Sequence, residues 1–292
     1  MRAPTPKSSI SRTSGRRRGR WRRLNLALGL AIVLMVAGTA LVSFVWTPFD
    51  PERIDASKRL IGVMEQGHLL GTDQFGRDLF SGIMVGSRTA LFVGILAVGI
   101  AVLIGIPIGG FAAARRGWVE DVVMRASDVV YAFPPVLLAI LLVAAVSPGT
   151  GSAMVAIGIA YVPVVARVTR GAALSVFQLD FVAAARSYGR GNAFIFVRHV
   201  LPNIASVLIV QMTVLFALAI LAEAALSFLG IGTQPPTPSW GRSLRDAQTF
   251  LQLAPRLAIW PGLAIAMTVL GFNLLGDGLR DALDPRLEDN RR

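Results

Sequence analysis

The chain contains no cysteine. Disulfides and thiolate metal sites are therefore excluded. Its two histidines, His68 and His199, lie far apart in sequence, which argues against a structural zinc site. The only lysines are Lys7 and Lys58. Neither follows the G-x-x-x-x-G of a phosphate-binding loop, so ATP hydrolysis within this chain is not expected. Charge is also scarce, at 16% of residues. Ion-coupled carriers need carboxylates or histidines near mid-membrane, and the long apolar runs here hold almost none. Glu223 and Asp277 sit only at the ends of such runs. A chain of this composition that moved a solute would do so passively, or with energy supplied by another subunit.

What is abundant is apolar sequence. Of 292 residues 54% are hydrophobic, and the mean hydropathy is +0.61. That suits a polytopic membrane protein better than a soluble domain. Six stretches come close to the ~20 residues needed to cross the hydrocarbon core: 24–45, 89–114, 129–147, 152–166, 204–222 and 257–276. The fourth is short, and Arg167 and Arg170 can lengthen it by reaching toward the interface. In lipid the backbone must satisfy its own hydrogen bonds, so all six are predicted to be helices. Segments 1–23, 115–127, 167–203 and 280–292 carry 9, 3, 5 and 4 lysines and arginines, against 4 and 3 in segments 46–87 and 228–256. By the positive-inside rule both termini are expected in the cytoplasm. The net charge of +12 is then a matter of topology and of contact with anionic membrane lipid, with no nucleic acid expected as partner. The first apolar run exceeds the 7–15 residues of a signal-peptide core and no small-residue cleavage site follows, so it is expected to stay as a span. Residues 1–23 are expected to form a basic, disordered cytoplasmic tail, and 281–292 a second cytoplasmic tail.

One cytoplasmic loop stands out. Phe177, Phe181, Ala184 or Ala185, and Tyr188 recur at helical spacing and predict an apolar face. Gly189 and Gly191 break that helix. Asn192 is placed to cap a second short helix, which ends near Pro202. Arg186, Arg190 and Arg198 remain available. Physics alone leaves two readings open: a surface that receives a partner, or an amphipathic loop resting on anionic headgroups.

The stretch resembles the EAA loop of ABC importer permeases, E-A-A-x3-G-x9-I-x-L-P. Ala183, Ala184 and Ala185 stand at the E-A-A positions, Gly189 at the glycine, and Leu201 and Pro202 at the L-P. Two letters depart: Ala183 replaces the glutamate and His199 the isoleucine. Three further stretches are similar to the C-type permease of oligopeptide and dipeptide importers: 68–78 (HLLGTDQFGRD), 223–230 with 234–241 (EAALSFLG and QPPTPSWG), and 273–286 (NLLGDGLRDALDPR). The resemblance covers about residues 24–287. It implies that Ala183, Ala184, Ala185, Arg186, Gly189, Leu201 and Pro202 form a coupling loop seated in an ATPase subunit. It also implies a second related permease subunit, two cytoplasmic ATPase subunits and an extracytoplasmic substrate-binding protein as partners. ATP and Mg are then bound by the partner subunits, with no cofactor, metal or catalytic residue in this chain.

The motifs also have plain physical readings. Gly71, Gly76 and the aspartates of 71–78 suit turns and caps, and His68 reads as an exposed polar residue. Pro235, Pro236 and Pro238 stiffen the 234–241 loop. Trp240 suits an interfacial position, in a rigid anchor or in the wall of an outer mouth. Glu223 is costly unless paired or wet, so it is expected to bond Arg242 or Arg245 or to line the pathway. Asp277 and Arg280 are expected to pair as i,i+3 neighbours. Gln211 and Asn273 should face protein or water, and are expected to line the pathway or to join helices. Gly94, Gly99, Gly105, Gly109 and Gly110 predict close helix packing.

The expected fold is all-α, a polytopic membrane protein with six transmembrane helices of the type I ABC importer class. Residues 24–88 would form the first span and an extracellular segment. Residues 89–280 would form the core permease domain, with the coupling loop at 171–202. The expected function is half of an ATP-driven pathway for di- or oligopeptides in a bacterial inner membrane. The alternatives are the same machinery carrying nickel or another small solute, and an autonomous channel or ion-coupled carrier.

Overall fold

The computed structural model describes residues 12–283, with side chains from Leu24 onward. Residues 1–11 of the basic N-terminal tail and the Asp284-Pro285-Arg286 end of the last motif therefore lie outside the described residues. Ten α-helices follow in order among the described residues, with no strand. The first, α1 (Arg12–Ser43), begins earlier than expected. Arginines are good helix formers, and here they continue the helix set by the apolar run, so 12–23 is helical where disorder was expected.

A folded segment at 46–78 then leads to α2 (Leu79–Arg115), 37 residues and about 55 Å long at 1.5 Å per residue. Next come α3 (Trp118–Tyr131), α4 (Pro135–Val146) and α5 (Thr150–Val176). Two short helices, α6 (Asp180–Ser187) and α7 (Asn192–Ile195), lead through a π-helical turn at Phe196–Val200 into α8 (Leu201–Phe228). A loop and the short α9 (Trp240–Ala247) precede α10 (Arg256–Leu283).

Five helices are long and apolar enough to cross a membrane: α1 from Leu24, α2, α5, the α7–α8 unit and α10. The third expected span, 129–147, is not one helix. It is divided between α3 and α4, which meet at an angle of 83°. Pro134 and Pro135 explain the break, since each removes an N–H donor and Pro134 also restricts Phe133 away from helical backbone. The two helices count as a sixth span only if taken together.

The core is aliphatic. Val93, Ala97, Ala101, Ile157 and Leu215 are each at most 1% exposed where α2, α5 and α8 meet. α2 runs along α5, and α1 along α10. Gly105 and Gly109 permit the first approach: a Cβ would lie 2.7 Å from Val165 Cβ and 2.8 Å from Thr169 Cβ, respectively. Gly99, also read as a packing position, meets open space.

The helices define two ends. The 46–78 segment, the 229–255 connection and the starts of α2 and α10 gather at one, joined by Trp240 Nε1 donating to the Ile83 carbonyl (3.0 Å) and Arg256 Nη2 to the Leu60 carbonyl (2.6 Å). This is the cap end. α6, α7 and the start of α3 gather at the other, the loop end.

Candidate functional site

At the loop end, α6 is held by Val182, which is fully buried beside Phe177, Ile195 and Val200. Gly189 ends the helix at φ +74°, a left-handed conformation that glycine adopts without a Cβ penalty. The chain then turns into α7 at Gly191. Asn192 does not cap that helix. Its Nδ2 donates instead to the Ala114 carbonyl at 3.0 Å, tying the loop to the end of α2.

The expected apolar face is divided. Phe177 turns inward and is 4% exposed, because it closes the core beneath α6, whereas Phe181 and Tyr188 stay exposed, Tyr188 at 86%. A shallow groove remains, lined by Phe181, Ala184, Ala185, Tyr188, Phe194 and His199. The His199 ring lies 6.3 Å from Phe181 and 6.0 Å from Phe194. Arg190 covers the Phe194 ring at 4.7 Å, and Arg198 completes the rim. Ala183, Ala184, Arg186 and Gly189 are exposed, as is Pro202 in the first turn of α8, while Leu201 is half-buried. Arg186 reaches back over the Phe177 ring at 5.7 Å.

The loop is continuous with α5, which is fastened to α3 just above it. Arg170 Nε donates to Glu120 Oε1 at 2.5 Å, and Arg167 Nη2 donates to Asp128 Oδ1 at 2.6 Å. Arg167 also lies 4.3 Å over the Tyr131 ring. These two arginines find acidic partners, where the sequence suggested only a reach toward the interface. Glu120 and Asp128 lie about 40–50 residues away, in a helix whose sequence pattern gave no sign of them.

The cap end is organised differently. Glu223 is 2% exposed and pairs with neither Arg242 nor Arg245. Its Oε1 accepts three hydroxyls, from Ser227 (2.7 Å), Ser239 (2.8 Å) and Thr233 (3.1 Å). Ser227 also accepts the Thr233 N–H at 2.9 Å. Hydroxyls can approach a carboxylate within the core at less desolvation cost than a guanidinium, which explains the exchange of partners. Ser227 was readable as an i,i+4 neighbour of Glu223; Thr233 and Ser239 come from the loop and gave no local signal.

Trp240 is 3% exposed rather than interfacial, and so serves as an anchor between the loop and α2. His68, expected at the surface, is also 3% exposed. Its Nδ1 lies 2.8 Å from Asp78 Oδ1, and its ring stacks on Phe49 at 4.2 Å. Asp78 Oδ2 caps α2 by accepting the Ser81 N–H at 2.8 Å. Gln211 is half-buried on α8 and Asn273 exposed on α10. No ion pair joins Asp277 to Arg280 among the described residues.

Long apolar helices, a broken span and an exposed loop between two of them suit the membrane domain of a transport protein. Residues 105–289 match the family described as binding-protein-dependent transport system inner membrane component, and the chain belongs to that family. It is similar to the glutathione transport system permease protein GsiD of Pectobacterium atrosepticum, 41% identical over 273 residues that cover 92% of this chain and 90% of the relative. It is also similar to GsiD of Escherichia coli, 40% identical over 270 residues covering 92% and 89%. Among solved structures, a chain of the MetNI methionine ABC transporter in an inward-facing conformation matches with a TM-score of 0.57. That match covers 69% of this chain and 96% of the other at 16% identity, a likeness of fold alone. The chain is thus a multi-pass inner-membrane permease subunit of an ABC importer.

Proposed function

We propose that the chain forms half of a pathway importing a peptide-like solute, driven through its 171–202 loop by ATPase subunits. The observation that carries this reading is the loop-end groove. Aromatic side chains and arginines are enriched where proteins dock and are depleted on free surfaces, and here Tyr188, Phe194 and Arg190 surround one concavity. The distribution of basic residues favours cytoplasmic termini, and in that orientation the groove lies on the side where ATP is available. A second, related permease completes the pathway, and a binding protein delivers solute at the cap end. ATP and Mg belong to the partner subunits. Closure of the ATPases moves the loop, and α5 with α3 transmits the movement by rigid-body rotation to the helices of the pathway. The peptide-like solute follows from the relatives named for glutathione transport.

The test is reconstitution of the chain with its candidate partner permease, ATPases and binding protein in vesicles. ATP-dependent uptake of labelled glutathione or dipeptide is expected, with loss on Gly189→Val, which strains the left-handed turn. Uptake by the chain alone, without ATPase subunits, would overturn the reading.

A further inference from the structure

The cap end holds a cavity between residues 73–83, α9 and the start of α10. Its walls bring together two arginines, Arg77 and Arg242, and two carboxylates, Asp73 and Asp246. Among the described residues these four form one loose ion contact, Arg242 Nε to Asp246 Oδ2 at 3.8 Å. Among the described residues Arg77 has no carboxylate within ion-pair distance. Its Nε is buried without a hydrogen-bond partner, and its guanidinium lies 5.1 Å over the Phe75 ring. Asp73 Oδ1 accepts the N–H groups of Phe75 and Arg77, both at 2.8 Å, and its second oxygen makes no hydrogen bond among the described residues.

The surroundings make these charges expensive as they stand. Burial pushes the Asp73 carboxyl above its ordinary value of 3.8, against the two N–H groups that favour its ionised form. Burial likewise lowers the Arg242 guanidinium; Asp246 opposes that change and the nearby positive charge of Arg77 adds to it. A half-dry charge without a partner gains most from a ligand that supplies one. Two guanidinium groups suit a carboxylate, which they can hold through paired N–H donors. Two carboxylates suit an ammonium group. Since the four charges cancel, a ligand of zero net charge fits the cavity better than an ion of either sign, and Pro236, Pro238 and Leu257 supply apolar wall beside them.

We propose that this cavity binds a small zwitterion, an amino acid or short peptide, with its carboxylate on Arg77 and Arg242 and its ammonium on Asp73 and Asp246. The choice of solute class rests on the peptide-like reading above, while the site itself is remote from the loop that carries that reading. In the proposed orientation the cavity faces the side from which solute arrives, and it would hold solute before translocation.

The experiment is calorimetric titration of the purified, assembled complex with glycylglycine, alongside N-acetylglycylglycine and glycylglycine amide, which each lack one terminal charge. Saturable binding of glycylglycine is expected, with Kd raised at least ten-fold for either blocked peptide. Arg242→Gln should raise the glycylglycine Kd about ten-fold, and Arg242→Lys less, because it keeps the charge but loses the planar fork. Absence of saturable binding to the wild type, equal binding of the blocked peptides, or an unchanged Kd in both Arg242→Gln and Arg77→Gln overturns the site. Import that persists when no binding occurs here sinks the site and leaves the transport reading standing. Binding that persists when the reconstituted complex imports no peptide does the reverse.

Discussion

The cap end and the loop end of this molecule satisfy their side chains in opposite ways. At the cap end, Glu223, His68 and Trp240 are at most 3% exposed, and each finds its partner within the chain. At the loop end, Tyr188 is 86% exposed and Phe181 42%, and among the described residues none fills the groove they border. Polar groups buried with partners fix a shape. Large aromatic groups left at a surface fix nothing internally and suit an interface. Glu223, His68 and Trp240 are therefore held by contacts inside the chain, whereas the loop end keeps large aromatic groups at its surface.

The sharpest way to break the contrast is at Glu223. Glu223→Ala leaves three hydroxyls without their acceptor and opens a cavity among buried residues. At about 1–3 kcal/mol for each unsatisfied group, a net loss of about 3–5 kcal/mol is expected, read as a lower melting temperature in detergent. Glu223→Gln keeps one acceptor oxygen and should lose less than half as much. A Glu223→Ala protein that melts with the wild type would show that the hydroxyl cluster does not hold the cap.

The opposite behaviour is expected at the groove. Tyr188→Ala and Phe194→Ala should each change stability by no more than about 0.5 kcal/mol, as exposed substitutions do. Affinity for the ATPase subunits should nevertheless fall by about 2 kcal/mol, or roughly 30-fold, as for a buried aromatic anchor at an interface. Co-purification and titration with the ATPases read this directly. Substitutions that lower the melting temperature instead would place the groove among the internal contacts.

The same contrast explains what the sequence disclosed. Five apolar runs become helices near the expected places because a long uncharged run has one low-cost solution in lipid. The third expected run, 129–147, crosses the Pro134–Pro135 pair, and composition alone did not show that the chain would turn there by 83°. At the loop end, Gly189 and the exposed aromatics were legible because they are local features of a short helix and its stop. At the cap end, local reading failed repeatedly. His68 looked exposed because Phe49 lies in another stretch and Asp78, ten residues on, reaches it only when 68–78 folds back on itself. Glu223 looked in need of an arginine because Thr233 and Ser239 reach it only after the loop folds back. A partner supplied by long-range folding leaves no periodic trace.

Between the two ends, the α3–α5 link can be sharpened by charge exchange. Glu120 is 9% exposed, and its carboxylate binds Arg170. Glu120→Ala should destabilise by about 1–2 kcal/mol, less than a fully buried pair because Arg170 is partly solvated. Asp128→Ala, in an exposed pair with Arg167, should cost no more than about 1 kcal/mol. Exchanging the partners, Glu120→Arg with Arg170→Glu, should recover part of the loss in both melting temperature and coupled ATP hydrolysis. Strict additivity of the two single changes would deny the link any coupling energy.

The smallest expected effect tests the cap end against itself, through two aspartates of one segment. Burial raises the Asp73 carboxyl above 3.8, while hydrogen bonds from the Ser57 hydroxyl and N–H lower that of Asp55. The signs for stability are therefore opposite. In the pH interval above 3.8, the folded chain holds the Asp73 proton more tightly than the unfolded chain. The contribution of Asp73 is then complete below that interval and is lost as pH rises through the higher folded value. For Asp55 the folded chain releases its proton more readily, so its contribution is present above 3.8 and is lost as pH falls through the lower folded value. Melting temperature measured against pH separates the two. The difference between wild type and Asp73→Asn should shrink or reverse as pH rises from about 4, the unfolded value. The difference between wild type and Asp55→Asn should shrink as pH falls below that value. Equal slopes in both variants would mean that Asp73 is as well solvated as Asp55. The cavity walls would then lack the half-dry charge on which their appetite for a zwitterion depends.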